Sequence, residues 1–216
     1  MKRIFVVFLC LFLLSGCAAG GNAGASSTRY LTAMDTVMSL TAYGENRDGA
    51  LERSVAEIQR LDNLLSIGNE NSDISRLNRE KNAALSPDTW SLLSQALDLA
   101  QDTQGVFDPT VYPLVKLWGF YDKDYHVPTR QELSEALALV DYREVSLSQE
   151  SCGASLENGQ QIDLGGIGKG FASQRVTELL RDAGVTSAMV SLGGNIQCLG
   201  AKPDGSPWNI GIRDPF

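Results

Sequence analysis

Apolar residues along the chain recur at two spacings, and each change from one to the other marks an element boundary. Leu51, Val55, Ile58, Leu61, Leu64 and Leu65 follow three- and four-residue steps, which predicts an amphipathic helix ending by Gly68. Ser86-Pro87-Asp88 caps a second long helix with Trp90, Leu92, Leu93, Ala96, Leu97 and Ala100 on its apolar face. Thr129 and Glu132 form a capping box for a helix reaching Val140. Phe171, Ala172, Val176, Leu179 and Leu180 predict another over 170–183, with Gly184 as its stop. Polar residues 69–80 predict a short helix or an ordered loop. Thr36–Tyr43 alternates in period two and reads as a strand, with Tyr142–Ser148, Ser151–Leu156, Gln161–Leu164, Ser187–Leu192, Ile196–Leu199 and Trp208–Ile212 as further strands. Folded sequence is expected from about Arg29. Strands that cluster rather than alternate with helices define an α+β class with antiparallel sheets.

Two stretches obey neither period. Prolines, glycines and aromatics in 105–121 (Gly105-Val106-Phe107-Asp108-Pro109-Thr110, then Pro113, Trp118, Gly119, Phe120) resist any regular helix. Such a segment serves as a ligand wall or fills the core beneath a loop. The second is Asp163-Leu164-Gly165-Gly166-Ile167-Gly168-Lys169-Gly170. Its glycines let the backbone approach a ligand closely, and the helix that follows aims free N–H groups and a positive dipole end at the turn. Lys169 adds a mobile cation. The combination suits an anionic ligand, most simply a phosphate or pyrophosphate, although the same glycines also serve a tight strand-to-helix connection. Neither a Walker loop nor G-x-G-x-x-G is present.

The formal net charge of −8 speaks against a nucleic-acid partner, because such domains carry a basic face. His126 is the only histidine, so a histidine metal cluster is excluded. Cys152 and Cys198 read as two free, buried thiols, with pairing in an oxidising compartment as the other possibility.

At the N-terminus, Lys2 and Arg3 precede an apolar run from Ile4 to Leu14 and then Ser15-Gly16-Cys17. This is a secretion signal over 1–16 whose ending looks like a bacterial lipobox, with Cys17 as the lipid-bearing residue. Residues 17–28 form a small, flexible tether ahead of a folded domain at 29–216. The expected location is the extracytoplasmic side of a cell membrane. Loss of Lys2 and Arg3 takes the charge from −8 to −10, so the lipid must do the anchoring.

Met34-Asp35-Thr36, Ser72-Asp73-Ile74-Ser75-Arg76-Leu77-Asn78, Gly105-Val106-Phe107-Asp108-Pro109-Thr110, Asp163 to Gly170 and Gly193-Gly194-Asn195 occur in the order seen in the ApbE family. From about residue 30 onward the chain resembles these FAD:protein FMN transferases. The resemblance implies a T-fold-like set of antiparallel sheets with packed helices. It implies an enzyme that binds FAD and Mg²⁺, cleaves the FAD pyrophosphate, attaches FMN to a threonine of a partner redox protein and releases AMP. By motif position, Met34 would contact the flavin nucleotide and Val106, Phe107 and Asp108 would line its adenine and ribose side. Asp163 and Lys169 would hold the nucleotide, and the Gly166 carbonyl would be a metal oxygen.

The chain departs from the family pattern in three places. Gly68 stands in Ser66-Ile67-Gly68 where a tyrosine is frequent, and Asp35 replaces the glycine usual after the methionine. The family also continues past the Asp-Pro at 214–215 through further magnesium-binding residues, so these residues read as a C-terminally truncated member. A rival of another class is a lipid-anchored protein that binds FAD or a nucleotide without chemistry.

Overall fold

The computed structural model describes residues 24–157 and 159–215. The signal segment, Cys17 and most of the tether lie outside the described residues. Two antiparallel sheets organise the rest. The larger has the order β1 (Ser26–Ala33), β2 (Thr36–Tyr43), β6 (Ala188–Leu192), β7 (Asn195–Leu199). The smaller, of three short strands, has the order β3 (Asn82–Ala84), β5 (Gly153–Ser155), β4 (Ser146–Ser148). The helices are α1 (Arg47–Leu65), α2 (Asp73–Glu80), α3 (Pro87–Asp102), α4 (Tyr112–Leu117), α5 (Arg130–Leu137) and α6 (Gly165–Asp182).

Alternation decides which face of the large sheet is covered. Met38, Leu40 and Ala42 on β2 and Ala188, Val190 and Leu192 on β6 point inward and are fully buried. Against them pack α1, through Leu51, Ile58 and Leu61, and α6, through Ala172, Val176 and Leu180. The same core continues through Ile74 and Leu77 of α2, Leu92, Leu93 and Ala96 of α3, and Ile162 and Leu164. The expected α+β class with antiparallel sheets is therefore the observed one.

Capping chemistry fixes several helix ends. Ser72 accepts the N–H of Ser75, Ser86 accepts that of Thr89 with Pro87 in the first turn, and Thr129 and Glu132 complete their capping box. Gly184, at φ +80°, follows α6 as expected.

Six boundaries differ from expectation. β1 starts at Ser26, so the end of the expected tether is strand, held by full pairing with β2. The segment 105–121 does contain a helix, α4, because Pro113 falls in its first turn, where the missing N–H would have no helical partner. Tyr142–Ser148 divides into a 3₁₀ turn and the short β4, since the Asp141 carboxylate accepts the Arg143 N–H and winds the chain. Gln161–Leu164 joins no sheet and makes only one isolated parallel bridge, from Gln161 to Val111. Trp208–Ile212 forms no strand; the Trp208 indole donates to the Gly200 carbonyl at 2.9 Å and its ring packs 6.1 Å from that of Tyr43. Finally, α6 starts at Gly165, so the glycine run is the first turn of a helix, not a loop before it.

Candidate functional site

The start of α6 is specified by the residues just before it. Asp163 Oδ1 accepts the Gly165 N–H at 2.7 Å, and the Leu164 carbonyl accepts those of Ile167 and Gly168 at 3.1 and 2.8 Å. Glycine is a poor helix former, so contacts must favour it here. A Cβ on Gly166 would press on the Phe107 ring at 3.1 Å, whereas one on buried Gly168 would make only ordinary contact with Leu65, at 3.9 Å. The Gly166 N–H finds no hydrogen-bond partner among the described residues. A helix N-terminus with such a donor attracts an anion.

This terminus opens on a cleft of about 610 Å³, within the usual size of a small-molecule site. Four segments wall it: Met34 and Asp35; Asp62 and Leu65 to Gly68; Val115, Phe120, Tyr121 and Lys123; and Asp163 to Gly165 with Gly168 and Lys169. Sequence-distant Met34, Asp163 and Lys169 are thus brought together. Val106, Phe107 and Asp108 are not on the cleft wall. Val106 is fully on the surface, and Phe107 stands behind Gly166. The Asp108 carboxylate is occupied by the fold: Oδ1 accepts the Thr110 N–H and hydroxyl at 2.8 and 2.6 Å, and Oδ2 accepts the Tyr142 N–H at 3.1 Å.

Met34 reaches the cleft from a two-residue hairpin turn. Both Met34 and Asp35 have positive φ, at 47° and 56°, as a type I′ turn demands. Asp tolerates this region, whereas for Met it is strained. The β6–β7 hairpin turns beside it through Gly193 and Gly194 at φ +60° and +94°. Gly193 lies against Thr36, and Asn195 anchors the hairpin by donating to Ser173 Oγ at 2.7 Å.

Asp62, Phe120 and Tyr121 were not singled out as site residues from sequence. Asp62 sits at an ordinary polar position of α1, whereas the aromatic run of 105–121 did carry a ligand-wall signal. Tyr121 meets Tyr112 edge-on at 6.1 Å, and Phe120 stacks on Trp118 at 6.4 Å. Burial pushes the Tyr112 phenol up, and Tyr121, Asp163 and Asp122 add to that shift. His126 is exposed, with Nδ1 3.2 Å from the Asp124 carbonyl. Both Cys152 and Cys198 are free but only half-buried, and burial raises the Cys198 thiol. A separate shallow hollow of about 370 Å³, at the far end of α1, contains none of the motif residues.

Fold and cleft together define an α+β protein whose glycine-rich helix start faces a polar, aromatic-walled pocket. The model of the ApbE family matches residues 34–216, and the chain belongs to that family. It is 35% identical over 183 residues to the FAD:protein FMN transferase of Treponema pallidum, covering 77% of this chain and 51% of that protein. With the transferase of Vibrio cholerae it shares 27% identity over 221 residues, 100% of this chain and 66% of that one. The crystal structure of the ApbE protein of Thermotoga maritima superposes with a TM-score of 0.82 at 30% identity, over 88% of this chain and 64% of that chain. The V. cholerae flavin transferase ApbE gives 0.79 at 26% identity, over 88% and 65%. The chain thus spans about half to two thirds of the length of these relatives.

Proposed function

We propose that this chain binds FAD in the cleft and serves FAD:protein FMN transfer. The observation that carries the reading is the convergence of Met34, Asp163, Lys169 and the N-terminus of α6 on one pocket, in a chain whose relatives are named for that reaction. In the reaction, the hydroxyl oxygen of an acceptor threonine bonds to the FMN phosphorus. The pyrophosphate P–O bond to the adenylate side breaks, AMP leaves with that electron pair, and the hydroxyl proton is given up. Phosphoryl transfer of this kind depends mainly on positioning and charge neutralisation.

The α6 N-terminus and Lys169 face the pyrophosphate in this reading, while Met34 and the Phe120–Tyr121 wall cover the planar rings. The cleft is itself acidic: Asp35, Asp62 and Asp163 outnumber Lys123 and Lys169. An anionic pyrophosphate placed there needs a further counter-cation, and Mg²⁺, a hard ion that prefers oxygen ligands, supplies that neutralisation when bound. Among the described residues no group of three or more His, Cys, Asp or Glu could hold a metal. Asp35, Asp62 and Asp163 are the carboxylates on the cleft wall, and Gly166, expected to give a metal oxygen, lies inside the first turn of α6 and off that wall. Lipid attachment at Cys17 would hold the protein at an extracytoplasmic membrane face, close to membrane-bound flavoprotein acceptors.

Fluorescence titration with FAD tests the reading. The wild-type chain should quench FAD saturably. Asp163→Ala and Lys169→Ala should each weaken binding by about tenfold or more, the loss of one charged contact, while keeping the wild-type circular dichroism. Normal FAD affinity in both variants would overturn it. Incubation with FAD, Mg²⁺ and a flavin-acceptor domain, read as covalent fluorescence on a denaturing gel, then separates transferase from binder. Retained FAD without a labelled acceptor band is the outcome expected of a nucleotide-binding protein.

A further inference from the structure

Asp163 stands on a stretch of extended backbone that belongs to no sheet. Extended chain in a core needs partners for its N–H and C=O groups, since buried orphans are costly. At Ile162, which is fully buried, both groups are satisfied by one side chain. Asn78 Nδ2 donates to the Ile162 carbonyl at 2.8 Å, and Asn78 Oδ1 accepts the Ile162 N–H at 2.6 Å. Asn78 is itself buried, at 6% exposure, on the last turn of α2. The next residue is held as well: the Asp163 N–H donates to the Pro109 carbonyl at 2.8 Å. One turn beyond Asn78, Lys81 Nζ donates to the Gln160 carbonyl at 2.7 Å. The opposite wall is tied to the same helix, because Ser75 Oγ donates to the Ile67 carbonyl at 2.9 Å.

We propose that Asn78 is a positioning residue for the FAD site: its carboxamide replaces the strand neighbour that Ile162 lacks on the side away from Val111 and thereby sets where Asp163 and the start of α6 stand. The inference rests on the cleft being the FAD site. Asn is the residue suited to this task, because its planar amide offers one donor and one acceptor side by side, as a neighbouring strand does. Asp has the same shape but no donor when ionised, and its charge would face the Ile162 carbonyl. Displacement is transmitted directly, since Asp163 is the next residue and its Oδ1 caps Gly165.

The test compares Asn78→Asp with Leu180→Ala, a core truncation about four turns along α6 from the cleft. Both destabilise the chain, but only the first should move the site. FAD titration is made at a temperature where circular dichroism shows each variant folded. Asn78→Asp should weaken FAD binding by about tenfold or more, and Leu180→Ala should stay within about twofold of wild type. Hydrogen–deuterium exchange without ligand provides a readout independent of FAD. Peptides covering 160–168 should exchange at least about tenfold faster in Asn78→Asp alone. Wild-type exchange and affinity in Asn78→Asp would overturn the proposal, as would parallel losses in Leu180→Ala. If wild type fails to bind FAD while the exchange result holds, the function is wrong and the positioning role stands.

Discussion

Asp108 separates the geometry from the family expectation most sharply, because the resemblance sets it beside the nucleotide while the fold uses up its carboxylate. Asp108→Ala removes the acceptor of three hydrogen bonds, from the Thr110 N–H, the Thr110 hydroxyl and the Tyr142 N–H. Thr110 is fully buried, so its two donors gain no water in exchange. Each buried donor left unsatisfied costs about 1–3 kcal/mol, and the partly exposed Tyr142 bond adds less. A total near 3 kcal/mol is expected. In a domain of this size that corresponds to a fall in Tm of roughly 6–12 °C. Asp108→Asn keeps an acceptor oxygen on each side only if its amide nitrogen faces away from a donor, which cannot hold for both. It should therefore lose about half as much. Urea unfolding followed by circular dichroism measures the stability change, and FAD titration below the transition measures the site. A stability within about 0.5 kcal/mol of wild type, joined to a tenfold or greater loss of FAD affinity, would show that Asp108 serves the ligand and not the loop.

The β6–β7 turn gives a paired expectation. Gly193→Ala places a Cβ 2.5 Å from Thr36 Oγ1 and Cγ2 in addition to its positive φ, whereas Gly194→Ala meets nothing within 4 Å; the first should cost at least about 2 kcal/mol more than the second in urea unfolding. Met34→Gly should raise stability by up to about 1 kcal/mol by relieving the left-handed backbone, yet weaken FAD binding by removing a wall of the cleft; an unchanged affinity would remove Met34 from the site. Cys17→Ala should move the protein from the membrane to the soluble fraction or leave its signal uncleaved, and fractionation that finds wild type wholly soluble would refute lipid anchoring.

Strong periodicity made the framework legible. The helical spacing of Leu51 to Leu65 and the cap at Ser86 correspond to α1 and α3, where local signals and core burial agree. The capping box at Thr129 corresponds to α5, which buries no residue and rests on the local signal alone. Legibility failed where partners lie far away in sequence. Gln161–Leu164 reads as a strand because polar and apolar residues alternate along it, but its partners are the Asn78 side chain and the Pro109 carbonyl. No local pattern distinguishes that from a sheet. The start of α6 was misjudged because glycine argues against helix, and the close packing of Gly166 on Phe107 overrides propensity. Met34, Asp163 and Lys169 were found through motifs. Asp62 and Tyr121 carry no such mark and become neighbours only when α1 and the loop after α4 fold against the same core.

Local rules are broken more often around the cleft than elsewhere, and this concentration is informative. Among the described residues, six other than glycine have positive φ, and Met34, Asp35 and Lys123 of these line the cleft. The same cleft collects glycines inside a helical turn, exposed Phe120 and Tyr121, and carboxylates beside a helix N-terminus that attracts anions. Each feature costs stability in isolation, from backbone strain, lost chain entropy or unburied apolar surface. The exposed aromatics add nothing to the core, which is closed by Leu40, Leu51, Ile58, Val190 and Leu180, whereas Met34 and Gly166 also pack against its edge. Structures keep such costs where a ligand is bound, because the binding free energy compensates for them in the complex. By that reasoning, the strained turn and the glycine helix start are parts of one site, and α2 is the brace that holds its two walls at a fixed separation, through Ser75 on one side and Asn78 on the other.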